Sequence, residues 1–145
     1  MKANDLIASA SVSINAPMNK VWDAFVNPDT IKKYMFGTTV ISDWKEGGKI
    51  LWKGEWKGRS YEDKGVILKL KPESKLEYSH FSPLSGLPDT PENYHKVSID
   101  FSNQGTQSVV KLDQDNNATE EEKAQSETNW KKMLTDLKKL LEQNS

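Results

Sequence analysis

TEEEKAQSETNWKKMLTDLKKLLEQN, residues 119–144, is the one stretch long and regular enough to make an extended helix. It opens with a capping box, in which Thr119 can accept from the backbone of Glu122 and the Glu122 side chain can reach back. Glu120, Glu121 and Glu122 place negative charge at the positive end of the helix dipole, and Lys138 and Lys139 lie toward the other end. From Trp130 on, Trp130, Met133, Leu134, Leu137, Leu140 and Leu141 fall in one stripe about 120° wide at ~100° per residue. Burying six such side chains is worth on the order of 9–18 kcal/mol gross. A whole domain nets only about 5–15 kcal/mol, so this helix has to lie on something that the rest of the chain builds. Backward from Trp130 the stripe turns polar, with Lys123, Ser126 and Glu127 in the core-facing positions. That end either overhangs into solvent or lines the mouth of a polar cavity.

The surface upstream reads as a sheet. Leu6 to Asn15 alternates, with Leu6, Ala8, Ala10, Val12 and Ile14 on one face of a half-buried strand. Two short helices follow, 17–26 and 28–35, the first opened by Pro17 and the two separated at Asn27-Pro28. Strands are then expected over 39–44, 50–57, 60–71, 75–81, 95–101 and 106–112, divided by turns rich in Gly, Pro and Asn. Alternation puts Trp52 and Trp56 on one face, Val66, Leu68 and Leu70 on one face, and Tyr78 with His80. It also groups His95, Val97, Ile99 and Phe101. Asp115 to Ala118 reads as the connection into the long helix. The result is an α+β fold: a curved seven-stranded antiparallel sheet around a long C-terminal helix, with two short helices between strands 1 and 2. By length, residues 1–145 make a single domain.

Four segments carry a family likeness: INAPMNKVWDAFVNPDTIKKYM (14–35), GGKILWKGEWKG (47–58), YEDKGVILKLKPESKLEYSHFS (61–82) and NWKKMLTDLKKLLE (129–142). Together they resemble the helix-grip superfamily of START-like lipid-transfer domains, the birch-pollen allergen and polyketide cyclases (SRPBCC). Within it, they most resemble the branch named for activators of a heat-shock-protein ATPase. Tyr34 stands where that branch usually has tryptophan, and Asn129 where a glycine often precedes Trp130. The resemblance implies a cavity between helix and sheet. It implies no fixed reaction, since members bind lipids or hormones, cyclise polyketides or dock on chaperones.

Composition excludes several classes. The net charge is −1, with 28% charged residues of both signs mixed along the chain, so neither nucleic acid nor an acidic membrane is an expected partner. There is no cysteine, hence no disulfide, thiol nucleophile or thiolate metal site. No apolar run has the length of a signal peptide core or a membrane span, so a cytoplasmic location is expected. No cofactor motif is present.

The candidate site is the cavity itself. Its expected walls are Trp52, Trp56, Tyr78, His80, His95, Val97, Phe101, Trp130, Met133, Leu134 and Leu137. Tyr34, Met35, Leu84 and Leu87 are placed at its mouth. If Leu76 pairs with Ile99 and Tyr78 with Val97, His80 faces His95 across two strands, as a hydrogen-bonded pair, a proton relay, a pH-sensitive gate or half a metal site. A metal would need a third ligand, and only Asp89 and Glu92 lie nearby, so no metal site is assigned. Glu55 or Glu62 would become a buried acid only if strand parity slipped at Gly54 or Gly65. Lys131, Lys132, Lys138 and Lys139 read as a solvated face with intrahelical partners Glu127 and Glu142, or else as a docking surface for an acidic partner. The chain shows no nucleophile elbow, phosphate loop or HExxH motif, and no catalytic residue is assigned. The function expected first is binding of a small apolar or amphipathic molecule such as a lipid. The alternatives are a protein-interaction module with a chaperone or other partner, as in a stress response, and a cyclase or hydrolase working in the same cavity.

Overall fold

The computed structural model describes residues 6–143 except 36, 57, 84, 85 and 118, with Trp56 described by its backbone. In chain order the elements are β1 (Leu6–Ile14), α1 (Met18–Val26), α2 (Pro28–Tyr34), β2 (Thr39–Ser42), β3 (Lys49–Trp56), β4 (Arg59–Lys71), β5 (Lys75–His80), β6 (His95–Gln104), β7 (Gln107–Asn117) and α3 (Glu120–Gln143). Among the described residues, seven strands form one sheet in the order β1-β7-β6-β5-β4-β3-β2, every neighbour antiparallel. The architecture is the α+β helix-grip arrangement, with α1 and α2 between β1 and β2. No described helix is long and apolar enough to cross a membrane.

Helix α3 starts where the capping box placed it, with the Glu122 amide donating to Thr119 Oγ1 at 3.0 Å. Its stripe buries Met133, Leu134 and Leu137 against Ile14, Ile67, Leu76, Ile99 and Leu112. The helix packs chiefly on β1, an edge strand of the sheet. There its polar side chains take up backbone groups that an edge leaves unpaired. Glu127 accepts from the Ser9 amide at 3.0 Å, Lys138 donates to the Ser13 carbonyl at 2.8 Å, and Glu142 accepts from the Asn15 amide at 2.8 Å. This corrects the expectation of a solvated Glu127–Lys131 pair and of a helix end overhanging into solvent. Glu127 is bound to the sheet, and Lys138 bonds both β1 and Glu142, the latter at 2.6 Å.

The two short helices form a wedge at one end of the sheet. Asn27 caps α2, its side chain accepting from the Asp29 amide at 3.1 Å, with Pro28 at the first turn. Pro28 has no N–H to offer the Ala24 carbonyl four residues back. The Tyr34 hydroxyl donates to that carbonyl instead, at 2.6 Å. Phe101 packs edge-on against both Trp22 and Phe25, each at 5.1 Å between ring centroids.

Two strands depart from the alternation read in the sequence. In β4 the pairing with β5 shifts between Ile67 and Lys69, so Leu68 is the extra residue of a bulge. Before the bulge the inward positions are Tyr61, Asp63, Gly65 and Ile67, and Ile67 is fully buried while Val66 and Leu68 are exposed. The expected grouping of Val66, Leu68 and Leu70 on one face therefore fails: Val66 and Leu68 face outward and Leu70 packs on the core, because one inserted residue swaps the faces of everything on one side of it. In β7 the strand continues to Asn117 rather than stopping at Leu112, because residues 113–117 still have the start of β1 to pair with.

Candidate ligand cavity

A cavity of about 270 Å³ lies between the concave face of the sheet and α3, lined by Met35, Thr38, Trp52, Tyr61, Asp63, Tyr78, His80, His95, Val97, Gln114 and Trp130. It shares Met35, Trp52, Tyr78 and Trp130 with a narrow apolar crevice of about 20 Å³ that runs inward past Tyr34, Trp44, Ile50, Leu76 and Met133. It shares Met35, Gln114 and Trp130 with an outer compartment of about 210 Å³ bounded by Ser126, Asn129 and Met133. The polar front of α3 thus forms a lip of the cavity. One end of the space is apolar and the other polar.

The polar end is built by strand register. Tyr78 pairs with Val97 and His80 with His95, so the two imidazoles stand side by side with centroids 6.4 Å apart. His80 Nε2 lies 2.9 Å from Asp63 Oδ2, and the carboxylate can only accept, so Nε2 carries the proton in this bond. His95 Nδ1 lies 2.8 Å from the Asp115 carbonyl oxygen, which again can only accept. Nδ1 is therefore protonated, and in the neutral ring the remaining Nε2 is an acceptor. Gln114 is oriented by Trp130, whose indole N–H donates to Oε1 at 2.6 Å. Its amide nitrogen then approaches Ser126 Oγ at 3.5 Å, and Ser126 donates to Asn117 at 3.2 Å. On the opposite wall the hydroxyls of Thr38 and Tyr61 bond each other at 2.7 Å.

Asp63 is held unusually. Its side chain is only 16% exposed, one oxygen is satisfied by His80, and Oδ1 is buried without a hydrogen-bond partner. Buried carboxylate oxygens are normally paired. Trp52 packs against this corner, 4.9 Å from the His80 ring and 5.2 Å from Tyr78. Burial also pushes the Tyr78 and Tyr34 hydroxyls above their ordinary pKa, so both remain phenols at neutral pH. The arrangement can accept hydrogen bonds, share a proton between Asp63 and His80, and receive a ring or chain between aromatic walls.

Of the expected lining residues, the structure brings Trp52, Tyr78, His80, His95, Val97, Trp130 and Met133 around these spaces. Phe101, Leu134 and Leu137 are buried but line none of the three; they pack among core residues. Tyr34 is buried in the wall of the inner crevice, tied to α1, and Met35 borders all three compartments. Leu87 is 54% exposed and lines none of them. Leu84 and the Trp56 side chain lie outside the described residues. Asp89 pairs with Lys64 and accepts from the Tyr94 hydroxyl at 2.6 Å, on the outer surface. Among the described residues no group of three His, Asp or Glu is placed to hold a metal. Glu62 points outward, 3.6 Å from Lys53; the acid that turns inward is its neighbour Asp63.

Sequence reasoning missed Thr38, Tyr61, Asp63 and Gln114. Gln114 was accessible, since it continues the buried series Ser108, Val110, Leu112 in steps of two. Asp63 and Tyr61 required the parity of Ile67 rather than that of Val66.

The model of the Activator of Hsp90 ATPase homolog 1-like protein family matches residues 15–142. The chain belongs to this family. A solved structure of ChR145 from Cytophaga hutchinsonii is 58% identical and superposes with a TM-score of 0.87, covering 99% of this chain and 98% of that one. The fold of this Activator of Hsp90 ATPase homolog 1-like chain is also that of the Aha1 dimer from Colwellia psychrerythraea, at 21% identity and a TM-score of 0.72, over 93% of this chain and 95% of that one. CalU16 from Micromonospora echinospora shares it at 22% identity and a TM-score of 0.68, over 89% and 71% of the two chains. No curated protein matches the chain.

Proposed function

We propose that the chain binds a small hydrophobic or amphipathic molecule in the space between the sheet and α3. Membership of the family supports ligand binding or a related role in general; the cavity supports the particular reading. The observation that carries it is a space of about 270 Å³ with a hydrogen-bonding end and an apolar crevice leading off it. That is the shape and chemistry of a site that fixes one end of a ligand by polar contacts and buries the other. Trp52, Tyr78 and Trp130 form the apolar walls, with Met133 in the adjoining crevice and outer compartment, and His80, His95 and Asp63 the polar end.

The alternative of a docking surface on the basic face of α3 is weakened by Lys138, which is committed to the Ser13 carbonyl and Glu142. The test is mass spectrometry of the freshly purified protein under native and then denaturing conditions. A surplus mass that leaves on unfolding, and that the Met133→Trp variant lacks, is the expected result. A surplus that Met133→Trp retains in full would move the ligand out of this cavity.

A further inference from the structure

The geometry points to a ligand whose polar end is a protonated amine, held by Asp63 between aromatic faces. The inference rests on the cavity being the binding site and specifies the chemistry that site selects. Three observations converge. Asp63 lines the cavity, and its carboxylate is only half satisfied, because the buried Oδ1 has no partner. His95 spends its Nδ1 proton on the Asp115 carbonyl, so the neutral ring presents a second acceptor rather than a donor. Among the described residues, no lysine or arginine lines any of the three compartments, and Asp63 is the only carboxylate that does.

A neutral hydroxyl would donate a hydrogen bond to the carboxylate but leave its charge without a counter-charge. An ammonium group supplies both, and a hydrogen bond between charged partners is roughly twice as strong as one between neutral groups. A carboxylate ligand would meet like charge. The remaining walls suit a cation as well. Trp52, Tyr61, Tyr78 and Trp130 surround the space, and aromatic faces attract an ammonium through the ring quadrupole. The apolar body of the ligand then lies against Trp52, Tyr78 and Trp130 within the same space.

The experiment compares octylamine, octanol and octanoate by calorimetry at neutral pH on the full chain and on Asp63→Asn. Octylamine should bind the native protein about tenfold or more tightly than octanol, with octanoate weakest. Asp63→Asn should bind octylamine no more tightly than octanol. If His80 in its protonated form already neutralises Asp63, octylamine and octanol will bind alike, and the inference fails while the cavity reading stands. Equal binding of all three, or preference for octanoate, overturns it in the same way. Binding of none overturns both. Should Asp63→Asn not fold, the ranking on the native protein decides alone.

Discussion

Gly65→Ala tests how the site is held together. A Cβ at position 65 would sit 1.7 Å from the Ser79 carbonyl oxygen and 2.6 Å from its carbon, whereas real Cβ contacts stay beyond 3.0 Å. Both atoms are backbone, so no rotamer change relieves the clash, and β4 and β5 must separate by more than about 1 Å. Just beyond lies the Lys64–Phe81 bridge, with hydrogen bonds of 3.0 and 2.8 Å. Overpacking of this kind costs about 1–3 kcal/mol. Weakening the two bridge bonds adds up to about 0.5–1.5 kcal/mol each. The stiffer unfolded chain returns about 0.4–1 kcal/mol. The net expectation is a loss of about 2–4 kcal/mol, which for a chain of this size lowers Tm by roughly 5–15 °C. Urea denaturation followed by circular dichroism should show a lower midpoint at unchanged m. Because Asp63 and His80 flank the same point, the His80 ring resonances should shift in the variant. A stability change below about 0.5 kcal/mol with unmoved His80 resonances would mean that the strands do not approach so closely at Gly65.

Three further outcomes are expected. Met133→Trp should fill the space beside Trp130 and abolish octanol binding at a stability change within about 1–3 kcal/mol; unchanged affinity in a titration counts against the cavity. Tyr34→Phe should cost about 1–3 kcal/mol in thermal or urea unfolding, because it orphans the Ala24 carbonyl that Pro28 cannot serve. The raised Tyr34 pKa stabilises the fold fully below the ordinary value of about 10 and progressively less above it, so native stability should fall more steeply in alkali than that of the variant. The hydrogen bond from Lys138, and next that from the Asn15 amide, hold the Glu142 carboxyl below its ordinary pKa of 4.5. Its stabilisation is therefore present above that value and lost as pH falls through the lower folded one, and Glu142→Gln should flatten this acid limb of the stability profile.

What could be read from the chain follows the strength of its periodicity. The α3 stripe, the β5–β6 register and the facing of His80 and His95 were legible because each rests on regular repeats flanked by clear turns. The inward face of β4 was not. Val66-Ile67-Leu68 is apolar on both parities, so alternation alone could not choose between them, and the bulge at Leu68 has no residue signature of its own. Asp63 was hidden with it. The polar front of α3 was noticed but read too narrowly. Glu127 and Glu142 look like partners for neighbouring lysines at helical spacing, and only the placement of β1 as an edge strand shows that backbone amides claim them. Phe101, Leu134 and Leu137 face the interior as alternation requires, but facing inward does not distinguish a cavity wall from close-packed core.

The polar lining also decides what state the unliganded cavity is in. The space opens to solvent at one side; sealed and dry, about 270 Å³ of void would cost roughly 6–7 kcal/mol at ~24 cal/mol per Å³. That is comparable to the whole stability of many domains, about 5–15 kcal/mol. An apolar cavity of that size would therefore tend to collapse, as the inner crevice of about 20 Å³ nearly has. The larger space is different because His80, His95, Asp63, Gln114 and the Thr38–Tyr61 pair offer water enough partners to stay. At about 30 Å³ of liquid volume each, on the order of nine waters fit. Those against Trp52, Tyr78 and Trp130 are poorly bonded, and their displacement by apolar groups favours binding. Those at the polar end can be well bonded by His80, His95 and Gln114, and only a ligand that reproduces their hydrogen bonds can replace them without loss. Affinity therefore belongs to the aromatic walls, and selectivity to the few polar atoms that the β4 bulge and the β5–β6 register bring together.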